Sequence, residues 1–266
     1  MSAITSAIRQ SIRTSIRSSF GITVDERLAL IRQLFSAGEQ GAFYIPRPIV
    51  NDVQSLFQDA AGTVPVTADG DPIGKMIDQS GNGNHAIQTA SGRRPVYRTD
   101  GVLHWLQFDG VDDFLLIQDN LPLSGDFSAG LAYRLDDELQ TTEQGLISQY
   151  TGGAGRYIIR FTPSGDPGKA DIFVSGIYST LKIDVGKNGS AIITRDGSLH
   201  SMSIGDEQSD LTEGVNLVDV ALRIGTSTGN SGFLEGNIYS AVFCYRAIAA
   251  GEKASLKNYL DSTRPS

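Results

Sequence analysis

The chain has 266 residues, 40% of them hydrophobic and 20% charged, with a formal net charge of −8. This is length and apolar content for one large domain or a domain with an appendage, and it excludes a disordered chain. The acidic balance argues against nucleic-acid binding by the body, because phosphate affinity needs clustered Lys and Arg. A single cysteine, Cys244, lies in the apolar run 241–245; it excludes an intrachain disulfide and reads as a small core residue. No stretch is long and apolar enough to predict a membrane span. No signal-peptide pattern opens the chain, so the expected site of synthesis is a reducing cytoplasm.

Residues 1–20 form a local repeat, with Ile4, Ile8, Ile12 and Ile16 alternating with Arg9, Arg13 and Arg17. On a helix a four-residue spacing drifts by about 40° per step, so the stripe winds slowly round one side. On a strand the same even-numbered isoleucines share a face. Ser and Thr content weakens the helix, and the Arg- and Ser-rich, acid-free composition also fits a targeting peptide. The expected role is an arm for attachment or oligomerisation, with membrane-surface binding, targeting and a loose tail as alternatives.

A short helix follows, with capping-box spacing between Thr23 and Glu26, apolar residues at Leu28, Ile31, Leu34 and Phe35, and a stop at Gly38. Pro46 and Pro48 exclude regular helix beyond it. The expected organisation is an arm over 1–20, a helix and linker over 21–41, and one domain over 42–266.

From about residue 42 the pattern is β. Apolar or alternating runs fall at 103–108, 114–117, 127–133, 145–150, 157–161, 171–174, 181–185, 191–194, 200–204, 220–224 and 237–245. Turn residues separate them, among them Asp109-Gly110, Gly152-Gly153, Asn188-Gly189 and Asp196-Gly197. Many short strands at this spacing predict an all-β, two-sheet antiparallel sandwich of jelly-roll type, closed by a last helix over about 251–261.

Several segments are more specific. Asp78-Gln-Ser-Gly-Asn-Gly-Asn-His85 crowds glycine and asparagine where the backbone needs positive φ. Leu106-Gln-Phe-Asp-Gly-Val-Asp-Asp-Phe114 reads as strand, tight turn and strand. With Gly125–Gly130, Ile193–Gly197 and the closing Gly236–Arg246 and Ala249–Tyr259, these resemble, in order, the signature segments of the laminin-G-like branch of the concanavalin A-like lectin/glucanase superfamily. Gly130 and Leu131 stand where that family usually carries a tryptophan. The segment 41–66 is similar to the opening segment of laminin-G-like proteins encoded by bacteriophages. That resemblance implies a non-enzymatic virion protein made in the host bacterium, a tail-fibre-like adhesin for host surface glycans or, alternatively, a decoration protein. It also implies other virion proteins as partners of the arm, and a homo-oligomer, a trimer by analogy with fibre proteins.

A glycan hydrolase is the third reading. Glycosidases on this sandwich resemble one another in a Glu-x-Asp-x-x-Glu strand, and no such spacing occurs here. Asp109, Asp112 and Asp113 are candidate Ca²⁺ ligands, joined by Asp78, Asn82 and Asn84 if the two segments meet; the simpler alternative is that these side chains bond their own turns. His85, His104 and His200 are too scattered to predict a zinc site. Tyr150, Arg156, Tyr157 and Tyr178 flank glycine-rich turns and are the candidate sugar contacts. Trp105, the one tryptophan, is expected to be buried.

Overall fold

The computed structural model describes residues 24–117, 124–136, 143–150, 157–162, 169–174, 177–182, 188–212, 221–228 and 230–265. The Ile/Arg repeat and Arg156 lie outside these residues, and so do the side chains of Tyr157 and Tyr178.

Helix α1 spans Val24–Gln33. It is followed by β1 (Gly41–Tyr44), β2 (Ile49–Val50), β3 (Val53–Gln54), β4 (Leu56–Phe57), β5 (Lys75–Met76) and β6 (Ala86–Ile87). Then come β7 (Val96–Thr99), β8 (His104–Asp109), β9 (Leu115–Ile117), β10 (Phe127–Leu135), β11 (Gln144–Gln149), β12 (Tyr157–Thr162) and β13 (Lys169–Val174). The chain continues through β14 (Ile177–Lys182), β15 (Asn188–Asp196), β16 (Leu199–Ile204), β17 (Glu207–Thr212), β18 (Leu222–Ile224) and β19 (Glu235–Cys244), and closes with helix α2 (Ala250–Thr263).

Two antiparallel sheets carry the fold. One runs β17-β16-β15-β10-β19-β8-β7, with β1 paired beyond β8 on the free edge of β19. The other runs β14-β13-β12-β11-β18-β9-β6-β5-β4. Alternation explains the layering. Phe127, Ala129, Leu131 and Tyr133 of β10 point inward to meet Leu115, Ile117, Leu222 and Ile224 of the facing sheet. Each of the leucines, isoleucines and Phe127, fully buried, contributes about 1.5–3 kcal/mol, and Ala129 less.

The other face of the first sheet carries a second core. There Phe43, Ala132, Ile192 and Val242 meet Ile31, Leu34 and Phe35 of the α1 region and Leu256, Tyr259 and Leu260 of α2. Gly130 explains how α2 seats so closely: a Cβ there would lie 2.9 Å from Leu256 Cδ2 and 3.0 Å from Leu260 Cδ1. The helix occupies the space a larger side chain would need.

The expected strands mostly appear, with shifted ends. The run expected at 181–185 is instead β14 at Ile177–Lys182. Strand β17, Glu-Gln-Ser-Asp-Leu-Thr, carries no apolar alternation because it is an edge strand whose side chains are largely exposed. The Asp196-Gly197 turn forms as expected, with Asp196 opposite Leu199 and Gly197 at φ +59°. Cys244 is buried, and burial pushes its thiol up to about 12. Trp105 is half-buried rather than buried: it lies on the helix-bearing face and packs against Tyr239, ring centroids 5.8 Å apart.

Candidate functional site

The Asp78–Ala86 loop is structural. Asp78 Oδ1 accepts the N–H groups of Phe43 and Ser80, each at 2.8 Å, while Oδ2 accepts the Ser80 hydroxyl at 2.7 Å and the Asn84 N–H at 3.1 Å. Asn82 and Asn84 donate side-chain amides to the Gly41 carbonyl at 3.2 and 2.7 Å. Gly81 and Gly83 take φ of +93° and +80°, as the crowding of glycine predicts.

The second signature makes an acidic turn. The carboxylates of Asp109, Asp112 and Asp113 lie within 4.8 Å of one another. Asp109 Oδ1 accepts from the amides of Val111, Asp112 and Asp113 at 2.8, 3.2 and 3.4 Å. Asp113 Oδ2 accepts the Asp109 N–H at 3.2 Å, and Asp112 faces the Arg93 guanidinium at 3.5 Å. Burial, and then the neighbouring Asp109 charge, push the Asp113 carboxyl up to about 7. The turn's own amides thus serve the carboxylates of Asp109 and Asp113, while Asp112 is paired with Arg93. Asp78 is committed to β1 and its own loop rather than to this cluster.

Of the tyrosine and arginine candidates, Tyr150 follows β11 and is half-buried. Its carbonyl lies 3.5 Å from Arg223 Nη1. His85 accepts the Asp78 N–H through Nδ1 at 3.2 Å, and His200 is buried within β16. The three histidines serve separate places, as their scatter predicts.

A recess that gathers polar groups at an apolar rim lies elsewhere, on the helix-bearing face. It is a cleft of about 300 Å³ bounded by Leu28 of α1, the segment Ile45–Arg47 after β1, the β2–β3 hairpin, the β7–β8 turn and the last turn of α2. Its polar groups are Arg47, Asn51, His104, Tyr239, Ser262 and Thr263; Ile49 and Val102 form an apolar rim, 52% and 76% exposed. Its geometry is fixed by three local devices. The β2–β3 turn places Asn51 and Asp52 at φ +50° and +63°, the two-residue hairpin geometry that Asn and Asp tolerate best. His104 Nδ1 and the Tyr97 hydroxyl are 2.6 Å apart, with the rings stacked. The β10–β19 register slips by one residue, so that Ser240 faces Ala132, Ile238 faces Tyr133, and Tyr239 is the extra residue. This bulge turns Tyr239 to the cleft side, where it meets Trp105.

Burial, then the charge of Arg47, lower the His104 pKa, so its imidazole is neutral at pH 7. Burial pushes the Tyr239 phenol up to about 12, so it stays a neutral donor. The arrangement offers hydroxyl, amide, guanidinium and imidazole groups around an apolar rim, which suits a small polar ligand with one apolar face. Sequence reasoning named none of these residues as ligand contacts. The Asn51-Asp52 pair between short apolar runs is a hairpin signal that was present in the sequence; the bulge at Tyr239 had no sequence signal.

No family model matches the chain, and no curated protein matches it. Solved structures do. The fold is similar to a Trypanosoma rangeli sialidase at TM-score 0.55 and 12% identity, over 85% of this chain and 33% of that one. It is similar to an arabinofuranosidase complexed with arabinofuranosyl-α-1,2-xylobiose at TM-score 0.61 and 12% identity, over 87% and 64%. It is also similar to domain 4 of a GH43 extracellular arabinanase from Geobacillus stearothermophilus, in complex with arabinotriose, at TM-score 0.51 and 16% identity, over 68% and 91%. The chain thus spans about a third of the sialidase and under two thirds of the arabinofuranosidase. At these identities the likeness is one of fold.

These likenesses correct the expectation of a non-enzymatic phage structural protein, whether adhesin or decoration. The structures named above that share the fold are two glycosidases and a domain of a third, and none is a virion protein. The signature residues could not have separated the two, because they build turns and edges that any such sandwich needs. The missing Glu-x-Asp-x-x-Glu strand was equally a weak exclusion: linear spacing detects carboxylates on one strand and misses groups that converge from separate elements.

Proposed function

We propose that this chain works in glycan processing, as a β-sandwich that holds a short oligosaccharide in the cleft around Tyr239. The observation that carries this reading is the cleft itself, where Arg47, the Asn51 amide and the hydroxyl oxygens of Ser262 and Thr263, whose protons go to the Tyr259 and Leu260 carbonyls, can meet sugar hydroxyls and Ile49, Val102 and Tyr239 offer apolar surface to a ring face. The volume of about 300 Å³ sits at the small end of ligand sites, room for a sugar residue or two. The arabinotriose-bound arabinanase domain, matched over nearly its whole length, supports the same reading. The sandwich belongs, in this proposal, to the concanavalin A-like jelly rolls that the Asp78–His85 and Leu106–Phe114 segments resemble.

The test uses the full chain with arabinotriose, arabinofuranosyl-xylobiose and a panel of neutral and acidic oligosaccharides. Binding is followed by calorimetry and cleavage by release of reducing ends. Saturable binding or cleavage is expected, and Val102→Trp should abolish it while leaving the melting temperature unchanged, since Val102 is 76% exposed. The reading fails if no glycan binds or is cut, or if the blocked variant behaves like the parent.

A further inference from the structure

We infer that the cleft receives a sugar bearing a carboxylate, a uronic acid residue of a polysaccharide, and that Arg47 is the group that pairs with it. The inference rests on the cleft being a glycan site, and it names the class of glycan.

The first observation is a local reversal of charge. The chain carries 30 acidic residues against 22 Lys and Arg, yet among the described residues no Asp or Glu lines this cleft, and Arg47 does. The second is that Arg47 lacks the carboxylate partner that several other arginines have. Arg98, Arg134, Arg160, Arg246 and Arg264 each face a carboxylate. Among the described residues Arg47 faces none. Its position is nonetheless fixed, because its backbone N–H donates to the Ile45 carbonyl at 2.8 Å in the segment leaving β1.

A second guanidinium reinforces the sign. With the Asn51 amide oriented to satisfy its neighbours, its oxygen accepts from Arg32 Nη1 at 3.0 Å and Nη2 at 2.5 Å. Arg32 therefore stands behind one wall of the cleft while Arg47 stands in it. Burial, and then the field of Arg47 against that of Asp100, keep His104 neutral and thus out of competition for an anion.

The chemistry selects the ligand. A guanidinium flanked by apolar surface keeps a larger share of its Coulomb attraction than one in open water. It presents a planar fork that a carboxylate fills with two hydrogen bonds. A neutral sugar offers hydroxyls alone and leaves that charge uncompensated. A uronic acid residue supplies both the ring for the apolar rim and the carboxylate for Arg47.

Calorimetry on the full chain with trigalacturonate, triglucuronate and neutral arabinotriose tests this. At least one triuronate should bind about tenfold tighter than the neutral trimer. Its affinity should fall as salt is raised, while that of the neutral trimer should not. Arg47→Gln should erase the preference and Arg47→Lys restore it in part, because a lysine keeps the charge without the fork. Val102→Trp, at an exposed position, should abolish triuronate binding and serves as the second variant should Arg47→Gln misfold. Equal affinity for acidic and neutral trimers, or a preference that survives in Arg47→Gln, overturns the inference while the glycan reading stands. Binding of no sugar at all overturns both.

Discussion

The Asp78 carboxylate accepts the backbone N–H of Phe43 at 2.8 Å, in the core and 35 residues away along the chain. Strand β1 pairs with β19 on one edge. On its other edge the Asp78–Asn84 loop replaces a neighbouring strand: Asp78 takes the Phe43 amide, the Gln79 amide donates to the Phe43 carbonyl at 2.7 Å, and Asn82 and Asn84 donate to the Gly41 carbonyl. An edge that would otherwise expose unpaired backbone is thereby closed by side chains.

Removing that carboxylate should therefore be costly. Asp78→Ala leaves the amides of Phe43, Ser80 and Asn84 without their acceptor, and a loss of about 2–4 kcal/mol is expected. Urea denaturation measures it directly. A loss well under 1 kcal/mol would show that the loop does not hold β1.

Two glycines should respond unequally to the same methyl group. At Gly145 a Cβ would lie 2.2 Å from the Ser227 backbone nitrogen, and backbone cannot yield; Gly145→Ala should fail to accumulate as folded protein. At Gly130 the new Cβ meets the flexible tips of Leu256 and Leu260, so Gly130→Ala should cost about 1 kcal/mol and leave the fold intact. Soluble yield and thermal melts of the two variants, compared side by side, decide the point.

Stability should depend on pH through two groups of opposite sign. His200 is buried, and burial first, then the Arg195 charge, lower its pKa to about 4. Between about 6.5 and 4 the unfolded chain binds the proton and the native one does not, so stability falls on acidification, by about 3 kcal/mol at most. Asp113, with its pKa raised to about 7, does the reverse: its contribution is full below the unfolded carboxylate pKa and is lost as pH rises through 7. Asp113→Asn keeps an oxygen to accept the Asp109 amide and removes the titration. It should melt higher than the parent at pH 8 and equally at pH 4. A variant that melts lower at pH 8 would mean that the acidic turn uses the Asp113 charge, for instance to hold a cation.

The start of α2 depends on one side chain. Glu252 accepts from Arg246 Nη1 and Nη2 at 2.7 Å each, and from the Ala249 amide at 2.8 Å. The pair is a third exposed, so solvent screens it, and Glu252→Gln should cost about 1 kcal/mol. The loss should shrink in high salt; chemical denaturation at two ionic strengths reads both effects.

Much of this was legible in the sequence. Alternation and turn residues fix an all-β chain, and the glycines of Asp78–His85 and Asp109–Asp113 announce turns because few other residues adopt positive φ. The Gly236–Arg246 and Ala249–Tyr259 segments marked the closing strand and helix, although the Arg246–Glu252 ion pair shows only in three dimensions. The polar edge strand β17 gave no signal, since a strand that buries little need not alternate.

The sequence by itself determined the class of fold, the turns, the closing helix and the inert cysteine, because each depends on residues near one another in the chain. The tertiary structure alone decided where a ligand is held. Arg47, Asn51, His104, Tyr239 and Ser262 come from five separate segments, and Tyr239 reaches the cleft through a one-residue slip between β10 and β19. Periodicity reports which face a residue takes within its own element. It does not report which distant elements meet there, and the cleft exists only where they do.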